Sequence, residues 1–281
     1  MVIGINKLLR KCIVKNMPNS PKLNSEMDLT NPIVQIIYLT YNRLYYTKIT
    51  LPALLDSSND ISFQVRIVDN GSTDGTVEYL KSLNHPRIEK IIYNTKNKGL
   101  VKPTKQFWKE SNANFVGKID NDILVPNEWI DNLVNAHLKI SELGVCGYCH
   151  FREEDFDAKK IASKVEQINN INFRRQPWIG GNYIMKKSTV LNNKGYRQSR
   201  KLFQKRILYG FNTYQEILAE KGFIHGYLCD DNNSLYIWDH IDDPRHSSFF
   251  KDEEYYKIRN MSENDIINWY KFDAKELLEV Y

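Results

Sequence analysis

Two aspartates separated by one residue, Asp120 and Asp122, carry the strongest chemical signal in the chain. They stand in the segment KIDNDILVP, where an apolar run typical of a buried strand ends. In open α/β sheets, ligands bind beyond the carboxyl ends of the strands. Carboxylate oxygens suit Mg²⁺ or Mn²⁺, the cations that bridge diphosphate groups. The segment therefore predicts a cation site, but an Asp-x-Asp pair alone also fits an ordinary turn or helix cap.

A second apolar run also ends in a carboxylate. Asp69 is followed by NGSTDGT, whose glycines and small hydroxyl residues allow a sharp turn into the next helix. A carboxylate in this position can accept hydrogen bonds from a base edge or a ribose hydroxyl, and an exposed helix N-terminus favours phosphate. A plain turn with Asp74 as the cap is the alternative interpretation.

Elements that could position these residues follow from the spacing of the apolar positions. Five apolar runs, which we interpret as strands, cover residues 33–39, 63–69, 87–93, 114–120 and 144–151. Helical patterns stand between them, with a kink or a fresh start expected at Pro52 and a helix opening at Thr73. This alternation predicts an α/β fold with a mainly parallel sheet flanked by helices.

Beyond residue 151 the alternation of strands and helices breaks down. The segment WIGGNYIM at 178–185 predicts a further strand, and a helical pattern follows around 212–221. The tail from residue 251 is typical of two helices, with Ser262 and Asp273 opening capping boxes.

Composition limits the classes of partner. The net charge is +5, from 39 basic and 34 acidic residues, which is too diffuse for a nucleic-acid surface but suits anionic small molecules. The four cysteines show no disulfide framework, so we expect a reducing, cytoplasmic compartment. No window approaches the roughly 20 apolar residues needed to span a bilayer.

The first fifteen residues mix apolar and basic side chains, as an interfacial helix would. A solvated helix or frayed terminus fits equally well. Residues 16–32 are polar and contain three prolines, which is typical of a linker. The sequence therefore leaves two alternatives for the first fifteen residues: peripheral contact with the inner face of a membrane, or no membrane contact.

Four motifs in order, LTYNR at 39–43, VDNGSTDGT at 68–76, NKG at 97–99 and IDND at 119–122, match a known family. Together they resemble the nucleotide-sugar half of glycosyltransferase family 2, whose members have the GT-A fold. The resemblance implies a single GT-A-like domain of two packed halves. The expected parts are a basic segment and linker at 1–32, a nucleotide-sugar-binding half at 33–150, an acceptor-binding half at 151–248 and a helical tail at 249–281.

The same resemblance assigns roles to individual residues. Expected to bind the nucleotide-sugar are Thr40, Tyr41, Asn42, Arg43, Asp69, Asn97, Gly99, Asp120 and Asn121. Expected to hold Mn²⁺ or Mg²⁺ are Asp120, Asp122 and His240, with His246 as the competing histidine. Expected to meet the acceptor, a glycan or lipid-linked glycan, are Trp178, Gly180 and Gly181, although Trp178 fits the core equally well.

The expected catalytic base is the main departure from the family pattern. Inverting members usually carry an acidic pair about a dozen residues before a Gly-aromatic step, here Gly222-Phe223. This chain has Gly210, Phe211 and Asn212 in that region, and Glu216 is the nearest acid. We therefore predict Glu216 as the base that accepts the acceptor proton. The alternative source is an acidic run, otherwise a solvated loop, that contains Glu153, Glu154, Asp155 and Asp157.

The sequence bears on several other functions. A non-catalytic relative that binds nucleotides or carbohydrates fits the missing acidic pair. A sugar-nucleotide nucleotidylyltransferase should carry a glycine-rich loop after the first strand, which LTYNRLYY lacks, and no Gly-x-Gly-x-x-Gly follows that strand for a dinucleotide oxidoreductase. Zinc at Cys146 and Cys149 is disfavoured, because residues three apart on a strand point to opposite faces.

Overall fold

The computed structural model describes residues 33–57, 59–177, 179–193, 201–203, 206–208, 213–251 and 260–280. Its strands are β1 Val34–Thr40, β2 Phe63–Asp69, β3 Ile88–Tyr93, β4 Phe115–Asp120, β5 Ile123–Leu124, β6 Leu143–Gly147, β7 Glu166–Ile168, β8 Ile171–Arg175, β9 Tyr183–Lys186, β10 Lys201–Phe203, β11 Arg206–Leu208, β12 Ile224–Leu228 and β13 Asp239–His240. Its helices are α1 Leu44–Asp56, α2 Thr76–Ser82, α3 Val101–Glu110, α4 Trp129–Lys139, α5 Ala158–Ala162, α6 Lys187–Asn192, α7 Thr213–Ala219 and α8 Glu263–Ala274.

One nine-stranded sheet, in the order β3-β2-β1-β4-β9-β6-β12-β8-β7, forms the centre of the protein. The strands β1, β2, β3 and β4 are parallel to one another, and β12 is parallel to β6. Strand β9 is antiparallel to both β4 and β6, so it joins the two parallel groups. The expected mixed, mainly parallel α/β sheet is therefore confirmed.

Apolar side chains cover both faces of this sheet. In β1, Ile36 and Tyr38 belong to one buried cluster, whereas Ile37 and Leu39 belong to the other. This alternation follows from the two-residue period of a strand, and a strand buried on both faces needs apolar residues at nearly every position. All seven residues of β1 are accordingly buried, which explains the continuous apolar run.

Most predicted elements lie within one to three residues of their expected bounds. The first helix runs as one element from Leu44 to Asp56 with Pro52 inside it, so the expected fresh start at Pro52 was wrong. Helix α2 begins at Thr76 rather than Thr73, because the Asp74 side chain accepts hydrogen bonds from the Thr76 N–H at 3.1 Å and caps the turn.

The C-terminal tail partly follows the expectation. Ser262 caps α8 in a capping box with Asp265, as predicted. No second helix starts at Asp273 in this described segment, because α8 includes that residue and continues directly as a π-helical turn from Lys275 to Val280. The N-terminal segment 1–32 lies outside the described residues. Within the described chain, we find no helix with the length and apolar content needed to cross a membrane.

Candidate metal and nucleotide site

The predicted site residues meet at the carboxyl edge of the parallel strands. The registers pair Thr40 of β1 with Asp69 of β2, and Leu39 of β1 with Asp120 of β4. Because these strands are parallel, their ends lie side by side, as the sequence predicted. The antiparallel pairing of β5 with β13 sets His240 opposite Ile123, next to Asp122. This pairing brings the late histidine to the acidic segment.

Three side chains could hold a cation: Asp122, His240 and Asp242. One ligand atom from each lies within 4.8 Å of the others. His240 Nε2 is 3.7 Å from Asp122 Oδ1, and this carboxylate oxygen is buried without a hydrogen-bond partner among the described residues. A buried oxygen of this kind is costly unless a cation or donor meets it. The two carboxylates suit Mn²⁺ or Mg²⁺, and the imidazole favours the softer Mn²⁺ of the two, so the residues fit the metal that the family resemblance implies.

Cationic and neutral side chains surround this group. Arg43 Nη1 lies 2.5 Å from Asp122 Oδ2 and 3.6 Å from Asp242 Oδ2, so the guanidinium bridges the two acids. The Tyr270 hydroxyl donates to Asp242 Oδ1 at 3.1 Å and lies 3.3 Å from His240 Nδ1. Together these contacts fix the orientation of the donor atoms.

The protonation states follow from burial and charge. Burial favours the neutral form of His240, but the charges of Asp242 and Asp122 outweigh it and raise the pKa of His240 to about 9. Burial likewise opposes ionisation of Asp242, yet the His240 charge and hydrogen bond hold the pKa of Asp242 well below its ordinary value. Burial and the like charge of Asp242 raise the pKa of Asp122. The metal-free group thus carries a protonated imidazolium.

Asp120 lies outside this group. Its carboxylate contacts the ammonium of Lys118, whose side chain is 2% exposed and which also donates to the Gly181 carbonyl at 3.1 Å. The Asp120 N–H donates to Asn182 Oδ1 at 2.9 Å. The sequence placed Asp120 with Asp122 as a metal ligand, whereas the structure groups Asp122 with Asp242. Lys118 and Asp120 are two apart on one strand and share a face, which explains their pairing.

A cavity of about 500 Å³ opens above the group. Its walls include three of the predicted nucleotide-binding residues at the end of β1, namely Thr40, Tyr41 and Arg43. Asn121 also lines it, and its amide donates to Thr40 Oγ1 at 3.1 Å. We call this space the first cavity. It brings the predicted nucleotide residues next to the metal group.

Asp69 lies fully buried behind the first cavity. Its Oδ2 accepts hydrogen bonds from the Gly71 and Ser72 N–H groups at 3.0 and 3.1 Å, which forms the turn after β2. Gly71 has φ +87°, and a Cβ there would lie 2.9 Å from the Lys96 backbone, so the turn requires glycine. Asp69 Oδ1 has no hydrogen-bond partner among the described residues. The neighbouring Asn70 lines the cavity.

Three predicted nucleotide residues connect loops in the structure. Asn42 accepts the Thr73 N–H at 2.7 Å through its side chain, which ties the loop after β1 to the loop after β2. Asn97 accepts the Gly99 N–H at 2.7 Å, and the Gly99 carbonyl accepts from Asn70 at 3.2 Å. Asn42, Asn97 and Gly99 do not line the first cavity in the described part of the chain.

The Gly-Gly segment forms the opposite wall. Gly180 and Gly181 line the first cavity, and a Cβ at Gly181 would overlap the Asp120 carboxylate at 1.7 Å from Oδ2. Glycine is therefore required there for Asp120 to keep its position. Trp178, predicted to meet the acceptor, lies outside the described residues.

A second cavity of about 550 Å³ adjoins the first and shares His150 and His240 with it. Glu153 and Glu154 line it, as does His246, whose Nε2 lies 3.1 Å from Asp239. His246 therefore pairs with Asp239 and is not part of the metal group.

The other two acids of the acidic segment 153–157, Asp155 and Asp157, make structural contacts. Arg245 donates to both oxygens of Asp155 at 2.6 and 2.9 Å, and Asp157 caps α5. Glu216 stands on α7 and is not among the residues that line either cavity. The segment before it, with Gly210, Phe211 and Asn212, lies outside the described residues. The described acids that line the second cavity are thus Glu153, Glu154 and Asp239.

Sequence reasoning missed several residues of the site, namely Asp242, Tyr270, Trp269, Tyr148, His150 and Asn182. A signal existed for Asp242, because it is a carboxylate only two residues after the predicted ligand His240. No signal marked the tyrosine, since its contact depends on how α8 packs. Burial raises the pKa of Cys149 to about 12.

Comparison with known proteins agrees with this geometry. The family model described as glycosyl transferase family 2 matches residues 35–209. The dolichol-phosphate mannosyltransferase of Pyrococcus furiosus is 26% identical over 112 residues, which are 40% of this chain and 32% of that protein. The chain thus matches about a third of the length of this curated relative.

Two solved structures share the fold. The mannosyltransferase PcManGT from Pyrobaculum calidifontis, in complex with GDP-Man and Mn²⁺, has a TM-score of 0.53 at 17% identity, covering 87% of this chain and 66% of that chain. S. aureus TarS 1–349, in complex with UDP-GlcNAc, has a TM-score of 0.52 at 17% identity, covering 80% of this chain and 64% of that chain. Since the family match runs over more than half of the chain and the fold agrees, this protein belongs to glycosyl transferase family 2.

Proposed function

We propose that this protein transfers a sugar from a nucleoside-diphosphate sugar to a glycan or lipid-linked glycan, with inversion and with a divalent cation. The observation that carries the proposal is the group of Asp122, His240 and Asp242 on the wall of the first cavity, beside the strand ends. Family membership supports the same reaction class.

The nucleoside lies at the β1 and β2 end of the first cavity in this proposal. Thr40 and Asn70 offer hydroxyl and amide groups there. Asp69 Oδ1, buried and without a partner among the described residues, is an acceptor that a base N–H could satisfy after a small adjustment of the turn. The solved neighbours bind GDP-Man and UDP-GlcNAc, so both bases belong in the screen.

The diphosphate lies at the metal group. When bound there, a divalent cation stabilises the charge that grows on the leaving nucleoside diphosphate as the glycosidic bond breaks. Asp122, His240 and Asp242 hold it. Arg43 bridges the two acids and is long enough to turn its guanidinium to a phosphate oxygen, for which its planar fork is suited.

The acceptor enters from the second cavity, which meets the first at His150 and His240. Inversion requires a base within hydrogen-bond reach of the attacking hydroxyl. Of the acids that line this cavity, Glu154 pairs with Arg245 and Asp239 pairs with His246, so we take Glu153 as the base, with Glu216 as the sequence-based alternative. The name of the Pyrococcus relative supports a lipid-linked acceptor.

The test is a thermal-shift and hydrolysis screen of UDP-, GDP-, dTDP- and CMP-sugars with and without Mn²⁺. The variants are Asp122→Asn and the control Asp231→Asn, an exposed acid outside both cavities. The proposal requires metal-dependent stabilisation by one nucleotide class that Asp122→Asn loses and the control keeps. If no nucleotide stabilises the protein, the transferase function is rejected. Binding without hydrolysis or transfer would support the non-catalytic alternative.

Membrane contact through residues 1–16 is a separate part of the proposal. Their mixture of apolar and basic side chains supports it. A chain lacking these residues should lose sedimentation with anionic lipid vesicles while it keeps nucleotide binding. Unchanged sedimentation would reject the contact.

A further inference from the structure

Helix α8 places one exposed tryptophan on the wall of the first cavity. Trp269 is 42% exposed, whereas Trp108, Trp129 and Trp238 are at most 2% exposed. It lines the cavity together with the half-exposed Tyr41. An indole has a large apolar face, and leaving that face open inside a ligand-sized cavity is unfavourable unless a ligand covers it.

The position of Trp269 is fixed through its neighbour. Tyr270 is 6% exposed and its hydroxyl donates to Asp242 of the metal group at 3.1 Å. The ring centroids of Trp269 and Tyr270 are 5.2 Å apart. Helix α8 is further held by its capping box at Ser262 and by the buried Ile266. The indole is therefore preorganised relative to the metal group, which lowers the entropy cost of using it to bind.

The position along the cavity indicates which part of a ligand the indole meets. Thr40 and Asn70 stand at the β1 and β2 end, whereas Trp269 adjoins the residue that bonds His240 and Asp242. In a nucleoside-diphosphate sugar, the diphosphate separates the nucleoside from the sugar. With the nucleoside at the strand ends and the diphosphate at the metal group, the sugar follows next to the metal group, where Trp269 adjoins Tyr270.

We infer that Trp269 is a stacking platform for a sugar ring in the first cavity. This inference rests on the proposed function. The apolar C–H face of the ring packs on the indole, and the hydroxyls at its rim reach polar groups of the cavity. Trp269 lies outside the segment 35–209 that the family model matches, so the family match assigns it no role. The sugar comes from the donor or from the acceptor, and both sources share this chemistry.

The experiment uses the full chain with Mn²⁺ and compares Trp269→Leu, Trp269→Phe and the control Phe272→Leu. Phe272 is 62% exposed on the same helix and does not line the cavity. The donor arm measures affinities for GDP-mannose against GDP and for UDP-GlcNAc against UDP by calorimetry. The acceptor arm titrates methyl mannoside and methyl N-acetylglucosaminide into the complex with nucleoside diphosphate and Mn²⁺, and follows tryptophan fluorescence and affinity.

Loss of an aromatic stacking contact predicts an affinity about threefold to tenfold weaker in Trp269→Leu. If Trp269 stacks on the donor sugar, the substitution weakens binding of the sugar-nucleotide but not of the nucleoside diphosphate. If Trp269 stacks on the acceptor sugar, the substitution weakens binding of the methyl glycoside alone. Trp269→Phe should retain part of the affinity in either case. The inference is overturned if Trp269→Leu matches Phe272→Leu in both arms, or if the diphosphate and the sugar-nucleotide lose affinity equally. Failure of wild type to bind any diphosphate with Mn²⁺ would instead reject the proposed function itself.

Discussion

Substitution of Gly181 by alanine tests how Asp120 is positioned. A Cβ at Gly181 would lie 1.7 Å from Asp120 Oδ2 and 3.0 Å from Lys118 Nζ. The backbone of Gly181 is not in the left-handed region, so alanine itself is not strained there. To reach an ordinary carbon–oxygen separation, the carboxylate must shift by about 2 Å.

Gly181→Ala should affect both function and stability. A displacement of about 1 Å in a binding group can lower turnover by roughly a hundredfold. The Lys118 side chain is 2% exposed, so moving the Asp120 carboxylate away from this buried ammonium should lower the free energy of unfolding by about 3 kcal/mol. We therefore expect Gly181→Ala to fold with reduced stability and to lose about a hundredfold in donor turnover.

Gly180→Ala is the matched control. The nearest atoms to a Cβ at Gly180 belong to the His150 ring, at 3.7 Å, which is ordinary contact. Donor hydrolysis or transfer rates and urea denaturation curves of both variants would be compared with wild type. Equal rates in Gly181→Ala and Gly180→Ala would refute the claim that the missing Cβ holds Asp120 in place.

Three further perturbations probe the charges of the site. Arg43→Met should strengthen Mn²⁺ binding to the nucleotide-free protein by about tenfold, because Mn²⁺ no longer competes with the guanidinium that bridges the two acids. A titration followed by paramagnetic resonance measures this affinity, and weaker Mn²⁺ binding by the variant would contradict the prediction. The pKa of His240 is raised to about 9 from 6.5, so the protonated form of His240 stabilises the folded, metal-free protein. This stabilisation should be complete below pH 6.5 and should be lost as the pH rises through about 9. Urea denaturation across this range should show the loss in wild type but not in His240→Gln. Glu153→Gln should lower kcat by about a hundredfold or more while donor affinity stays unchanged. Glu216→Gln should leave kcat unchanged. A loss of kcat in Glu216→Gln but not in Glu153→Gln would assign the base to Glu216.

The first half of the fold was predictable from the sequence because three of its strands, β1, β2 and β4, are almost entirely buried. A strand such as β1 then requires a continuous apolar run, and the run ends where the site begins. Asp69 and Asp120 could be placed at one edge for that reason alone. The second half has shorter strands and an antiparallel insertion, β9, which produces no alternation of strands and helices along the chain.

The composition of the metal group depends on contacts that spacing does not encode. His240 reaches Asp122 only because β13 pairs with β5, two strands of two residues each. Asp120 turns to Lys118, although the resemblance gave it to the metal. Tyr270 belongs to helix α8, whose position is set by packing against the rest of the domain. Local sequence patterns do not predict such long-range contacts, even where they predict the helices and strands correctly.

We propose that Asp122, His240 and Asp242 hold the cation and that Asp120 does not. The most direct test is a Mn²⁺ titration, monitored by paramagnetic resonance with GDP or UDP present, of Asp122→Asn, Asp242→Asn and Asp120→Asn. We predict that the first two variants weaken Mn²⁺ binding by at least about tenfold and that Asp120→Asn leaves it near wild type. Full Mn²⁺ binding by Asp242→Asn, together with loss in Asp120→Asn, would contradict the account.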